Sequence, residues 1–377
     1  MKYSIKLFLL CLLLLFTAGC WDQLRLNDVD LIYAMGIDKT EEGDFKATVS
    51  VPRSTGGQDS GQLTSDIFST TGKTIRELRV NLDNTIGGLL DSSKIRVILV
   101  HRALAEEDLY TILDSFYRDP RAPLASKILI TEEKAESLFQ GITEKPELIS
   151  EYFVDLVQSA ERDAIVPVVN LQNICPVMLD RGRDFHLPLI SSVSSSGGNS
   201  LVTGTALFTG KKMSGQLTNN ESIIANLLSD IVSKNDKIIM TTNLPDNGQS
   251  ESHGYITYQI DEYKTKMNII PKEGSYEAEF DLHLFLNVLE YPPDKLSEHD
   301  TVAKLNQDVE DDLQILTDNT VKKLQESGSD LFGIRREIMA FHNDKFDEEE
   351  EAWKESYAEM AVNVNVEVEI IHHGIIN

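Results

Sequence analysis

The chain has 377 residues, 41% of them apolar and 25% charged, and 35 Lys and Arg stand against 61 Asp and Glu for a formal net charge of −26. This composition supports a buried core spread over two or three domains and excludes disorder as the main state, while the acidity argues against nucleic acid or an anionic lipid surface as a partner. Three cysteines, Cys11, Cys20 and Cys175, are too few for a disulfide framework.

Lys2 and Lys6 precede an apolar stretch, Leu7–Phe16, relieved only by Cys11. A bilayer span needs about 20 apolar residues, so the segment reads as an export signal over residues 1–19. Thr17-Ala18-Gly19 directly before Cys20 form a lipobox, in which the Cys20 thiol is alkylated with diacylglycerol and becomes the mature N-terminus. The competing reading is an ordinary secreted protein whose new N-terminus falls near a cysteine. No later stretch reaches about 18 uninterrupted apolar residues. Removal of Lys2 and Lys6 with the signal leaves 33 basic against 61 acidic side chains, a net charge of −28 on a tethered extracytoplasmic body. Anionic headgroups repel such a body within about 8–10 Å.

After Cys20-Trp21-Asp22, Val29–Asp38 is an apolar run, Glu41–Asp44 a turn and Phe45–Val51 an alternating strand, so residues 29–51 predict a β-hairpin. Residues 52–61 are a Ser/Gly-rich loop, and Ile67–Thr71 fits a further strand. Gly72-Lys73-Thr74 opens a helix with Ile75, Leu78, Leu82 and Ile86 on one face. Ile95–Val100 is the clearest central strand; a helix over Ala103–Tyr117 follows and is broken by Pro120 and Pro123. Lys127–Thr131 predicts a strand, Glu132–Phe139 a short helix and Pro146–Ala160 a helical tail. Residues 20–185 therefore form an N-terminal α+β domain with a mixed sheet.

Residues 186–250 read as a middle region. The Ser/Gly tract over Ser191–Ser200 fits either a linker or a long hairpin loop; Thr205–Thr209 and Met213–Leu217 form a hairpin, and Glu221–Ser229 a helix capped by Asn219 or Asn220. Residues 251–377 form a C-terminal α+β domain. Its strands are Tyr255–Ile260, Lys264–Ile270 and Tyr276–Leu289, and its helices are Leu296–Glu326, Asp330–Phe341 and Glu348–Tyr357. The first helix has an apolar stripe of Val302, Leu305, Val309, Leu313, Leu316 and Leu324. The final strand, Ala361–Ile371, must pair with the earlier three, and helices packed on one face of mixed sheets complete the α+β class.

Catalytic signatures are missing: there is no phosphate loop, no His-Glu-x-x-His and no Gly-x-Ser-x-Gly. Cys175 with His186 suggests a nucleophile pair, but nothing in Asn173-Ile174-Cys175-Pro176 supplies a cationic environment, so a structural thiol is favoured. His372 and His373 point to opposite faces of a strand and cannot chelate one ion. The run Asp347–Glu351 lacks the spaced ligands of a Ca²⁺ loop and suits a helix start, where the macrodipole favours acidic residues. No catalytic, metal or cofactor residues are expected, and the chain reads as a tethered interaction module.

The junction Leu13–Asp22, a lipobox cysteine followed at once by Trp-Asp, resembles the Ger(x)C family, the lipoprotein C subunits of GerA-type nutrient germinant receptors of endospore-forming bacteria. The similarity continues at Leu24, Asn27 and Ala34-Met35-Gly36-Ile37-Asp38. It recurs at Thr205–Phe208 with Leu217 and Glu221, at Leu282–Glu290, at Asp330–Ile334 and in the closing strand to Gly374. The resemblance implies a multi-domain α+β protein without enzymatic activity or cofactor, anchored at the outer face of the spore inner membrane beside integral-membrane subunits of the receptor. Cys20 then carries the lipid, and Trp21 and Asp22 lie at the membrane boundary, where an amphipathic ring is favoured. Asp330, Phe332 and Gly333 are expected to form a partner-facing turn, with Asp330 as a helix N-cap the competing reading. The acidic helices between Leu296 and Tyr357 are expected to meet basic loops of the membrane subunits. The alternative class is a solute-binding lipoprotein of a transport system, which requires two similar lobes where this chain has unlike halves; a hydrolase with an unrecognised site is a third.

Overall fold

A computed structural model describes Tyr3, Lys6 and residues 29–54, 63–142, 148–193, 199–233, 236–244, 254–293, 295–342 and 350–372. Cys20, Trp21, Asp22, His373, residues 347–349 and the side chains of Glu350 and Glu351 lie outside the described parts. The first half contains β1 (Val29–Leu31), β2 (Ala34–Lys39), β3 (Phe45–Ser54), β4 (Leu63–Gly72), α1 (Ile75–Ile86), β5 (Leu89–Asp91), β6 (Val97–His101), α2 (Arg102–Tyr117) and β7 (Lys127–Thr131). It continues through α3 (Ala135–Ile142), α4 (Ile149–Arg162), α5 (Leu171–Met178), β8 (His186–Ser192), β9 (Ser200–Thr209), β10 (Lys212–Thr218) and α6 (Asn219–Leu228). The second half contains β11 (Ile238–Asn243), β12 (Tyr255–Lys272), β13 (Ser275–Glu290), α7 (His299–Ser327), α8 (Ile334–Phe341), α9 (Glu350–Glu359) and β14 (Ala361–His372).

An eight-stranded mixed sheet runs in the order β10-β9-β8-β7-β6-β2-β3-β4, and β1 pairs with β5 beside it. Its centre is parallel, β2 with β6, β6 with β7 and β7 with β8, and antiparallel hairpins extend both flanks. The run Val97–Val100 is wholly buried because helices cover both faces. α1, α2 and α5 pack on one face, and α3 and α4 on the other. The four-stranded sheet, β11-β12-β13-β14, carries its helices on one face, and its strands alternate buried and exposed as a half-covered sheet must.

Residues 186–250, read from the sequence as a middle region, divide between these two layers. β8 and β9 pair antiparallel across the Ser/Gly tract, so the tract joins neighbouring strands of one sheet. Leu207 and Leu217 of that sheet share a core with α6, α7 and the second sheet. Two other boundaries shift for local reasons. The 334–341 helix starts four residues after Asp330, since Gly333 takes a left-handed φ of 72°. α2 is interrupted at Asp108, where Leu109 N–H donates to the Lys211 carbonyl (2.9 Å) instead of continuing the helical ladder.

The Gly36-Ile37-Asp38 segment fixes α3 onto the sheet. A Cβ on Gly36 would lie 2.6 Å from the Ala135 Cβ, so only glycine allows this approach. Asp38, 2% exposed, accepts from Ala135 N–H (2.7 Å) and Glu136 N–H (3.0 Å), satisfying orphan donors at the helix start.

The outer edge of β14 is satisfied by a helix. Asn306, Glu310 and Gln314, one helical turn apart on α7, accept from the backbone N–H groups of Ile370 (2.9 Å), Val368 (3.1 Å) and Val366 (3.1 Å). Gln314 also donates to the Val364 carbonyl (2.9 Å). A strand edge that would otherwise recruit another chain is thereby occupied.

Gly36→Ala is expected to lower stability by about 1–3 kcal/mol, the typical range for overpacking a core, as measured by urea unfolding. An unchanged midpoint would contradict the close approach.

Candidate functional site: the junction between the two halves

The segment Asp330-Leu331-Phe332-Gly333-Ile334 follows α7 and lies against the edge of the first sheet. Ser329 Oγ donates to the Phe208 carbonyl (2.7 Å), and Thr209 Oγ1 donates to the Ser327 carbonyl (2.9 Å). Asp330 N–H donates to Asp184 Oδ2 (2.9 Å), and Asp184 N–H returns a bond to the Asp330 carbonyl (3.0 Å). Asp184 Oδ1 accepts from Gly210 N–H (2.8 Å). The Asp330 carboxylate turns the other way, accepting from Ile334 N–H (3.0 Å) and Arg335 N–H (2.8 Å) at the start of α8. The left-handed Gly333 lets the chain reverse so that these donors reach it. Arg183 Nε donates to the Leu331 carbonyl (2.9 Å), and Arg336 N–H donates to the Gly182 carbonyl (3.0 Å).

Asp330 is 1% exposed and Phe332 7%, with the Phe332 ring centroid 5.0 Å from that of Phe280. Gly333 is buried as well. The partner-facing turn expected from the sequence is therefore corrected: Asp330 and Gly333 lie against Asp184 and Arg183 of the first half, and Phe332 is buried against Phe280 of its own. The capping expectation for Asp330 takes a different form, since its carboxylate serves α8 from outside the helix, with Gly333 at the N-cap position. Burial pushes the Asp330 carboxyl up to about 7, against the N–H donors of Arg335, Ile334 and Gly333 that favour the anion.

A second buried link lies nearby. His186 Nε2 is 2.7 Å from Asn226 Oδ1, and Asn226 Nδ2 donates to the Ala164 carbonyl (2.7 Å), so the Asn oxygen is the acceptor and His186 the donor. Burial pushes His186 down to about 4. Glu221, in the same segment of the sequence as the Thr205–Phe208 strand, accepts from Thr218 N–H (2.9 Å) at the start of α6 and pairs with Lys323 of α7 at 2.6 Å. Cys175 is half-buried in α5, and the Nε2 of His186, its proposed partner, is committed to Asn226.

The junction encloses a cleft of about 880 Å³. The kink of α2 and the 178–184 segment form one wall, the β9–β10 turn another, and the end of α7 with α8 and α9 the third. Among the described residues, no group of three His, Cys, Asp or Glu is placed to hold a metal ion, and no helix is long and apolar enough to cross a membrane. Sequence reasoning missed Asp184, Arg183 and Asn226, because each acts on backbone or side chains far away in the chain.

Residues 22–192 match the spore germination protein N-terminal domain, and residues 203–374 match the spore germination B3/GerAC-like C-terminal domain. The chain belongs to this GerAC-type spore germination family. It is 26% identical over 372 residues to the spore germination protein GerQC of Bacillus cereus, with 97% of this chain and 98% of that one covered. It is 22% identical to spore germination protein B3 of Bacillus subtilis (strain 168), with 99% of each covered. The crystal structure of the GerBC protein has the same fold, with a TM-score of 0.55 at 17% identity over 89% of this chain and 96% of that one.

Two outcomes test these buried links. Asp330→Ala leaves two buried N–H groups without an acceptor, at about 1–3 kcal/mol each, and is expected to destabilise the protein by about 2–5 kcal/mol in urea unfolding. For His186 the folded-state value lies below the ordinary one of 6.5, so between pH 6.5 and about 4 the unfolded chain binds a proton that the folded chain does not. Its neutral form therefore contributes stability that is present above pH 6.5 and lost as pH falls toward 4, by up to about 1.4 kcal/mol per pH unit. In NMR the ring is expected to stay neutral down to pH 5; titration near 6.5 would contradict the buried bond to Asn226.

Proposed function

We propose that the protein is the lipid-anchored subunit of a spore nutrient germinant receptor, required for nutrient-triggered germination and held extracytoplasmically at the outer face of the spore inner membrane. The observation that carries this reading is the ordered match of residues 22–192 and 203–374 to spore germination domains, over nearly the whole length of the relatives. The export signal ending in Thr17-Ala18-Gly19-Cys20 supports a diacylglycerol anchor at Cys20. Acyl chains contribute about 0.8 kcal/mol per buried CH₂, so two or more of them hold a chain on the bilayer stably. Trp21 and Asp22 then lie at the membrane boundary.

In this role the chain binds rather than catalyses. Its partners are the integral-membrane subunits of the receptor, and the acidic side chains exposed on α7, such as Asp311 and Asp318, are the surface offered to their basic loops. The Asp184–Asp330 bonds join the two halves.

Replacing Cys20 with Ala in spores tests the reading. The variant is expected to leave the membrane fraction and to slow the nutrient-triggered germination rate. Normal germination with the product released from the membrane would refute the anchored-subunit account.

A further inference from the structure

The cleft at the junction has an unusual division of charge for so acidic a protein. Its carboxylates are all committed. Glu106 pairs with Arg102 (2.8 Å), Asp180 with Arg336, and Glu326 with Lys322 (3.8 Å). Asp108 accepts from Thr111 N–H (3.2 Å), and Asp184 and Asp330 hold the backbone donors described above. The cations are not committed in the same way. Arg335, over the Trp353 ring at 6.0 Å, lines the cleft together with Arg181, Arg183, Lys211, Lys212 and Lys354, and among the described residues none of these last five has a carboxylate oxygen within 4 Å. Lys211 lies over the Tyr110 ring at 4.3 Å, and Arg183 uses only its Nε, on the Leu331 carbonyl.

Unpaired positive charge converging on a concave site raises the local concentration of anions, and low-dielectric walls strengthen the effect. Six carboxylates line the cleft as well, but Glu106, Asp180 and Glu326 are matched by Arg102, Arg336 and Lys322 from outside its lining, which leaves cationic side chains in excess around it. The volume, about 880 Å³, lies in the range of small-molecule sites. From these observations we infer that the cleft between the two halves is a binding site for a small multivalent anion carrying carboxylate or phosphate groups. The guanidinium groups of Arg181 and Arg183 suit bidentate contact with either group, and the two lysines of the β9–β10 turn add point charges from the opposite wall. Because Lys354 of α9 and Arg183 come from different halves, an occupied cleft bridges the halves and stabilises their docking.

The test uses the purified full-length chain in detergent, with inorganic pyrophosphate and citrate as separate probes at constant ionic strength. Calorimetric titration is expected to give one site for at least one probe, with a rise in Tm, and the preferred probe distinguishes phosphate from carboxylate chemistry. Arg181→Gln with Lys212→Gln, both exposed positions, is expected to weaken binding about tenfold or more, whereas Lys264→Gln with Lys266→Gln on β12 leaves it unchanged. Circular dichroism confirms that both double variants fold. Absence of binding by both probes at millimolar concentration, or equal weakening in the two variants, overturns the inference.

Discussion

Two aspartates that hydrogen-bond each other across the junction set the relation of everything else. Asp184 N–H donates to the Asp330 carbonyl and Asp330 N–H to the Asp184 carboxylate, which also accepts from Gly210 N–H, while the Asp330 carboxylate accepts from the buried N–H groups of Ile334 and Arg335. Removing either would leave several donors unsatisfied at once, which is the circumstance in which a buried polar network is costly to disturb. Such a network specifies a unique docking geometry more than it adds net stability, since the same volume filled with apolar side chains would pack without the desolvation penalty. The apolar residues around it, Leu331, Phe332 and Phe280 with Phe208 on the opposite side, supply the burial, while the aspartates determine the angle.

Much of the fold was legible because it rests on local patterns. The unbroken run Val97–Val100 announces a strand covered on both faces, the alternation over 255–289 a sheet covered on one, and Leu305, Val309, Leu313 and Leu324 the buried stripe of a long helix. The Ser/Gly tract was ambiguous for a physical reason: its composition describes a segment without a preferred conformation, and a linker and a hairpin loop are both such segments. The strands on either side decide the matter, and they do so through pairing, which composition does not encode.

The site was less legible. The sequence marks Asp330 as a capping residue but gives no sign that its main-chain partner stands 146 positions earlier. Asp184 follows Arg181-Gly182-Arg183 just before β8 and carries no motif of its own. The same holds for the charge balance: the overall acidity is visible at once, but the gathering of cations into one concavity depends on bringing the 178–184 segment, the β9–β10 turn and α9 together. The Gly36–Asp38 segment lies between these extremes. Its resemblance to a family pattern could be read directly, whereas its cause, the 2.6 Å approach to Ala135 and the capping of α3, is spatial.

The ladder between α7 and β14 has a metric consequence. Four helical residues advance about 6.0 Å, while two strand residues advance about 6.6 Å. Side chains spaced by four on the helix therefore keep near step with alternate amides on the strand, in the manner of two scales of slightly different division. The offset grows by about 0.6 Å per rung. From Asn306 to Gln314 it reaches about twice that, within what side-chain rotation can absorb, and beyond a few rungs it would not be. The phase of the helix against the strand is thus fixed over this short overlap. Inserting one residue between Asn306 and Gln314 would rotate the remainder of α7 by about 100° and carry its C-terminal end, with Ser329 and Asp330, away from the first sheet. The length of α7, and not only its composition, is part of what places the two halves together.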